Sequence, residues 1–95
     1  MNSKKAIMAM SALSQPIRLA AVTTLARPGC QGMSVSDLAA ALGGVLQNSM
    51  SVHMTVLARA GLVKGTKAGR ETIYRVNRTA LADVGAFVVQ LASGH

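Results

Sequence analysis

The run Leu46-Gln47-Asn48-Ser49-Met50-Ser51-Val52-His53-Met54-Thr55-Val56-Leu57-Ala58-Arg59-Ala60-Gly61-Leu62-Val63 constrains this chain more than any other stretch. Met50, Met54 and Leu57 recur at three- and four-residue spacing, so a helix over Gln47–Ala60 has one apolar face. Gln47, Asn48, Ser51 and Thr55 line another side. Gly61 stops the helix, because glycine accepts the left-handed backbone of a C-terminal cap. Short runs at Leu62–Thr66 and Thr72–Val76 then read as two strands joined by Lys67-Ala68-Gly69-Arg70-Glu71. A helix bearing small polar side chains, followed by a basic hairpin, offers base-edge contacts and phosphate contacts in one unit.

The remainder is helical in pattern. Ala6, Ile7, Met10 and Leu13 predict a first helix over Lys4–Leu13. Ser14-Gln15-Pro16 breaks it and restarts a second, Ile17–Ala26, with proline at the first position, where a missing amide costs nothing. Leu19, Val22 and Leu25 are its expected buried face. Arg27-Pro28-Gly29-Cys30-Gln31-Gly32 is a loop of chain breakers. Ser34 caps a third helix with Asp37 at the capping-box position; Leu38 and Leu42 face inward and Gly43-Gly44 ends it. A last helix over Ala80–Ala92 carries Leu81, Val84, Val88 and Leu91 as a stripe. The expected fold class is mainly α with a small β-hairpin, in the order α-α-α-α-β-β-α: a winged helix-turn-helix. It is expected to occupy residues 1–95 as a single domain, with no repeats.

Charge sharpens the functional reading. Ten basic against three acidic residues give a net charge of +7, and six of the ten (Arg59, Lys64, Lys67, Arg70, Arg75, Arg78) fall within one short segment opposed only by Glu71. Clustering of this kind favours a polyanion, although a solubilising surface is the plainer alternative. Tyr74 and Phe87 are the only aromatics, too few for a single-strand stacking platform. The single cysteine, Cys30, excludes an intrachain disulfide and a multi-thiolate metal site within one chain. No apolar run reaches the roughly 18 residues of a membrane span, so no membrane partner is expected and the chain reads as cytoplasmic and nucleoid-associated. Two histidines, three carboxylates and one cysteine are scattered over different elements, and no enzymatic role, metal or cofactor is expected.

Several segments carry a family resemblance. Ala12-Leu13-Ser14-Gln15-Pro16-Ile17-Arg18-Leu19 is similar to the A-L-S-D-P-T-R-L opening of ArsR/SmtB-type bacterial repressors. Ser34-Val35-Ser36-Asp37-Leu38-Ala39 resembles their S-V-x-D-L-A third helix, and Gln47 to Val63 resembles their recognition helix. Gly69-Arg70-Glu71-Thr72-Ile73-Tyr74-Arg75-Val76 is similar to their G-R-x-x-x-Y-x-L wing. The matches run over residues 12–76 in order. The resemblance implies a homodimeric repressor whose first and last helices form the interface and which an inducer releases from its operator. Ile7, Met10, Leu81, Val84, Val88 and Leu91 are the expected dimer contacts, since their stripes exceed what so short a chain needs internally.

The expected partner is therefore double-stranded operator DNA. Gln47, Asn48, Ser51, Val52 and Thr55 are candidate base readers: amides pair with adenine, hydroxyls suit either role, and a valine contacts a thymine methyl. Capping of the helix is the alternative for Gln47 and Asn48. His53 stands open between a phosphate contact and a position tucked against the core. Lys64, Lys67, Arg70 and Arg75 are candidate phosphate contacts, with Arg70 at the wing tip also suited to a narrow minor groove. Arg18 reads as structural, holding a helix terminus. A winged module that binds a protein instead of DNA is the competing class, supported by the scarcity of basic residues on the recognition helix.

The sensor departs from the family pattern. Arsenic-sensing members carry C-V-C in the third helix, where this chain has Ser34 and Ser36, whose hydroxyls are poor ligands for soft ions. Zinc-sensing members use Asp and His in the last helix, where this chain has Asp83 and no histidine before His95. Cys30, with Arg27 beside it as a cation, is left as a redox or thiophilic sensor or as a small apolar residue. Six methionines read as packing rather than metal ligation. The inducer is open.

Overall fold

The computed structural model describes residues 1–94; the terminal His95 lies outside the described residues. Helix α1 (Ser3–Leu13) starts at Asn2, whose side-chain oxygen accepts from the Lys5 amide at 2.8 Å. It turns inward a row of alanines, Ala6, Ala9 and Ala12, and these short side chains let it lie close against its neighbours. Ile7, which shares the predicted stripe, instead stands 65% exposed.

Helix α2 (Pro16–Leu25) meets α1 at 97°. Gln15 caps it by accepting from the Arg18 amide at 2.9 Å, and Pro16 takes the first turn. Its core face is Ala21, Val22 and Leu25, not the predicted Leu19, which is exposed. Arg18, Ala21, Val22 and Leu25 follow the i, i+3, i+4, i+7 rule, and Leu19 lies about 100° round from Arg18 toward solvent.

Helix α3 (Val35–Ala41) opens on the predicted capping box: Ser34 Oγ accepts from the Asp37 amide at 3.0 Å and the Asp37 carboxylate accepts from the Ser34 amide at 3.3 Å. Leu38 is fully buried, while Leu42 is half-buried. Helix α4 (Gln47–Arg59) buries Met50, Met54 and Leu57 as predicted, and Gly61 follows it at φ +78°. These residues, with Leu25, Leu38 and Leu62, are the largest fully buried side chains. Removing such a side chain from water contributes about 1.5–3 kcal/mol. The core is thus aliphatic and sulfur-bearing, with the aromatic Tyr74 at its edge.

Three strands, not two, make the sheet. Strand β1 (Met33–Ser34) joins β2 (Val63–Ala68) and β3 (Glu71–Val76) in the antiparallel order β1-β3-β2, with Met33 opposite Tyr74. Two residues carry no periodicity, so β1 was invisible to pattern. The hairpin is longer than predicted: its strands extend to Ala68 and Glu71, leaving Gly69 and Arg70 as a two-residue turn. Positive φ at Gly69 (+65°) alone is the pattern of a type II′ turn, whose twist suits a hairpin.

Helix α5 (Arg78–Ala92) is fastened at its start. Asn77 accepts from the Ala80 amide at 3.1 Å and donates from Nδ2 to the Gly61 carbonyl at 3.0 Å, while Arg78 donates to the Ala26 carbonyl at 3.1 Å. Val84 is buried in the chain's own core. The reason is geometric: Ala80, Leu81 and Val84 lie in the half of α5 that packs on the chain, whereas Val88, Val89 and Leu91 lie in the half left exposed. Among the described residues no single helix is long and apolar enough to cross a membrane.

Candidate nucleic-acid interface

Burial of Met50, Met54 and Leu57 fixes the rotation of α4 and leaves Gln47, Asn48, Ser51, Val52 and Thr55 exposed on its other side. The cap of this helix is Leu46, which offers no side-chain hydrogen bond, so Gln47 and Asn48 do not serve as caps. Ser36 Oγ of α3 instead donates to Gln47 Oε1 at 3.2 Å, leaving the Gln47 amide hydrogens outward-facing donors. Thr55 Oγ1 donates to the Ser51 carbonyl at 3.0 Å, so its hydroxyl has lone pairs free to accept.

A polar groove of about 330 Å³ joins this end of α4 to the wing. Ser36, Gln47, Asn48, Ser51, Arg70 and Thr72 all contribute to its lining, together with the acidic Glu71. The structure thereby brings a wing-tip guanidinium and three predicted base readers around one cleft, although Arg70 lies far from them in sequence.

The four predicted phosphate contacts divide between two faces. In the hairpin register Lys67 pairs with Thr72 on the side that carries Tyr74. Lys64 pairs directly with Arg75 on the opposite side, beside a cleft of about 420 Å³ that also includes Arg78. Like charges directly opposite each other weaken a hairpin, so this pair carries repulsion that a bound anion would relieve.

His53 is half-buried and faces Arg18. Arg18 Nη1 lies 3.3 Å from His53 Nδ1, and Arg18 Nε donates to the Ala12 carbonyl at 2.7 Å. A guanidinium has only donors, so His53 Nδ1 is the accepting atom of this contact. Arg18 thus holds the end of α1, as its structural reading expected, and ties it to the middle of α4. Neither Ser36 nor the Arg18 partner of His53 was found by pattern, because both contacts cross between helices.

Cys30 is half-buried on the wall of a cleft of about 420 Å³ shared with Arg75 and Arg78. Among the described residues no group of three or more His, Cys, Asp or Glu side chains gathers to hold a metal ion. Of the predicted dimer contacts, Ile7, Met10, Val88 and Leu91 are exposed and Leu81 is half-buried. Met8 and Val89 add exposed apolar surface that the sequence reading did not include.

Helix-turn-helix geometry with a basic wing defines a class, and comparison with known proteins agrees. The family model described as a helix-turn-helix domain matches residues 13–66, more than half of the chain. The HTH-type transcriptional regulator NmtR of Mycobacterium tuberculosis is 39% identical over 75 residues, which cover 79% of this chain and 59% of that protein. The chain thus spans less than two thirds of that curated relative's length. An ArsR-like transcriptional regulator from Rhodococcus sp. RHA1 superposes with a TM-score of 0.81 at 27% identity, covering 96% of this chain and 82% of the other. The homodimeric winged helix-turn-helix DNA-binding domain of a possible ArsR-family regulator from Mycobacterium bovis shares the fold. It has a TM-score of 0.73 at 24% identity, covering 97% of this chain and 82% of that one. The chain belongs to the helix-turn-helix domain family, in its ArsR/SmtB-type winged form.

Proposed function

We propose that this protein is a sequence-specific DNA-binding transcriptional repressor that works as a homodimer on a pseudo-palindromic operator and is released by an inducer. The observation that carries the reading is the single groove shared by Gln47, Asn48, Ser51 and Arg70. In a major groove the α4 side chains meet base edges, while Arg70 reaches the neighbouring backbone or minor groove. Lys67 extends that contact along the wing, and Lys64 and Arg75 meet phosphates on its outer side.

Residues 1–95 act in this reading as one DNA-binding unit whose terminal helices build the dimer. Ile7 and Met10 on α1 and Val88 and Leu91 on α5 are exposed apolar side chains, and exposed apolar surface is what a protein interface covers. The homodimeric state of the Mycobacterium bovis domain supports a second copy as the occupant. A two-fold axis there sets two α4 helices about one DNA turn apart, roughly 34 Å. The protein then resides in the cytoplasm, on the nucleoid.

Selection from a pool of random duplexes tests the proposal. It should enrich an inverted repeat with half-site centres about 10–10.5 base pairs apart or a multiple of that. Recovery of no motif, with binding that depends on charge alone, would contradict it.

A further inference from the structure

One cation, Arg59 at the far end of α4, takes no part in the DNA reading proposed above. Arg59 closes that helix, about 18 Å along the axis from Gln47 at 1.5 Å per residue. It forms part of the wall of a larger cleft, about 590 Å³, between the start of α1, the end of α4 and the start of α5. Lys4 and Lys5 line the same cleft, opposed within it only by Asp83. Met8, Ala60 and Ala80 supply an apolar part of the wall.

The placement of the two lysines is electrostatically adverse. They occupy the first turn of α1, at the positive end of its dipole, and no acidic residue in that turn offsets them. Arg59 adds a third side-chain cation to the cleft. An anion bound among the three would relieve that repulsion, and a guanidinium offers a carboxylate two parallel hydrogen bonds. The cleft volume falls within the range of about 300–1,000 Å³ usual for small-molecule sites, which combine apolar walls with a few polar groups.

We infer that the cleft between α1, α4 and α5 binds a small organic anion, a carboxylate with an apolar body, through Lys4, Lys5 and Arg59. The site is independent of DNA reading: it uses none of the residues around the Arg70 groove.

Naphthalene-2-carboxylate, titrated into isotope-labelled protein without DNA and followed by backbone amide NMR, is the probe. Saturable shifts are expected at Met8, Gly61 and Ala80. The uncharged naphthalene-2-carboxamide should bind at least about fivefold more weakly, and the double variant Lys5→Gln/Arg59→Gln should weaken the carboxylate by a similar factor. Asp83→Asn should tighten it about twofold by removing a like charge. Absence of saturable shifts at those positions, equal binding of the amide, or an unchanged affinity in the double variant would overturn the assignment. The amide comparison uses the unaltered protein, so the test stands even if a variant folds poorly.

Discussion

Arg18 and His53 face each other at 3.3 Å across the junction of three helices, and the same guanidinium donates to the Ala12 carbonyl at 2.7 Å. One side chain thereby ties the C-terminal end of α1 to the middle of α4, whose exposed side carries the candidate base readers. A planar guanidinium with a fixed fork of donors can serve both acceptors at once; an ammonium on a flexible stem cannot match that geometry.

Loss of Arg18 should therefore cost stability. Arg18→Ala is expected to lower unfolding free energy by about 1–3 kcal/mol, with Arg18→Lys recovering only part of it. Urea denaturation followed by circular dichroism measures both.

The wing tip should contribute charge rather than sequence. Arg70→Ala is expected to weaken binding to all duplexes and to reduce the salt slope of log K by about 1. An unchanged slope would place Arg70 away from phosphate.

Lys64 and Arg75 should repel each other when no DNA is bound. Lys64→Gln is expected to stabilise the free protein at low ionic strength by a few tenths of a kcal/mol, a gain that shrinks as salt screens the pair. Thermal unfolding at two salt concentrations gives the comparison.

The apolar surface of α1 and α5 should hold the dimer. Ile7→Asp or Leu91→Asp places a charge on residues 65% and 62% exposed in the single chain, so the fold should survive while self-association fails. Sedimentation equilibrium should show monomers, and operator affinity should fall with the loss of the second half-site contact. A persistent dimer would move the interface elsewhere.

Much of this arrangement was legible in the residues. The spacing of Met50, Met54 and Leu57 sets the rotation of α4, and the Ser34–Asp37 capping box stands at its expected place because both partners lie within one turn. What escaped was built by contacts between elements. Strand β1 exists only through its pairing with β3, and Leu19 lost its place in the core because Arg18, Ala21, Val22 and Leu25 define the packed face. Val84 illustrates the same limit: an apolar stripe along α5 does not say which part of it meets its own chain. The division of the basic wing was hidden too, since the register that sets Lys64 opposite Arg75 followed from a turn of two residues instead of five.

The central claim is that α4 and the wing form one sequence-reading surface, and fluorescence anisotropy of wild type and Gln47→Ala tests it most directly. The labelled duplex is the DNA immediately upstream of the protein's own gene, or the selected inverted repeat, with excess non-specific competitor present. Wild type should bind in a competitor-resistant manner, and Gln47→Ala should lose about 1–3 kcal/mol on that sequence while keeping its affinity for unrelated DNA. Equal losses on both DNAs, or none on either, would contradict base reading by this face.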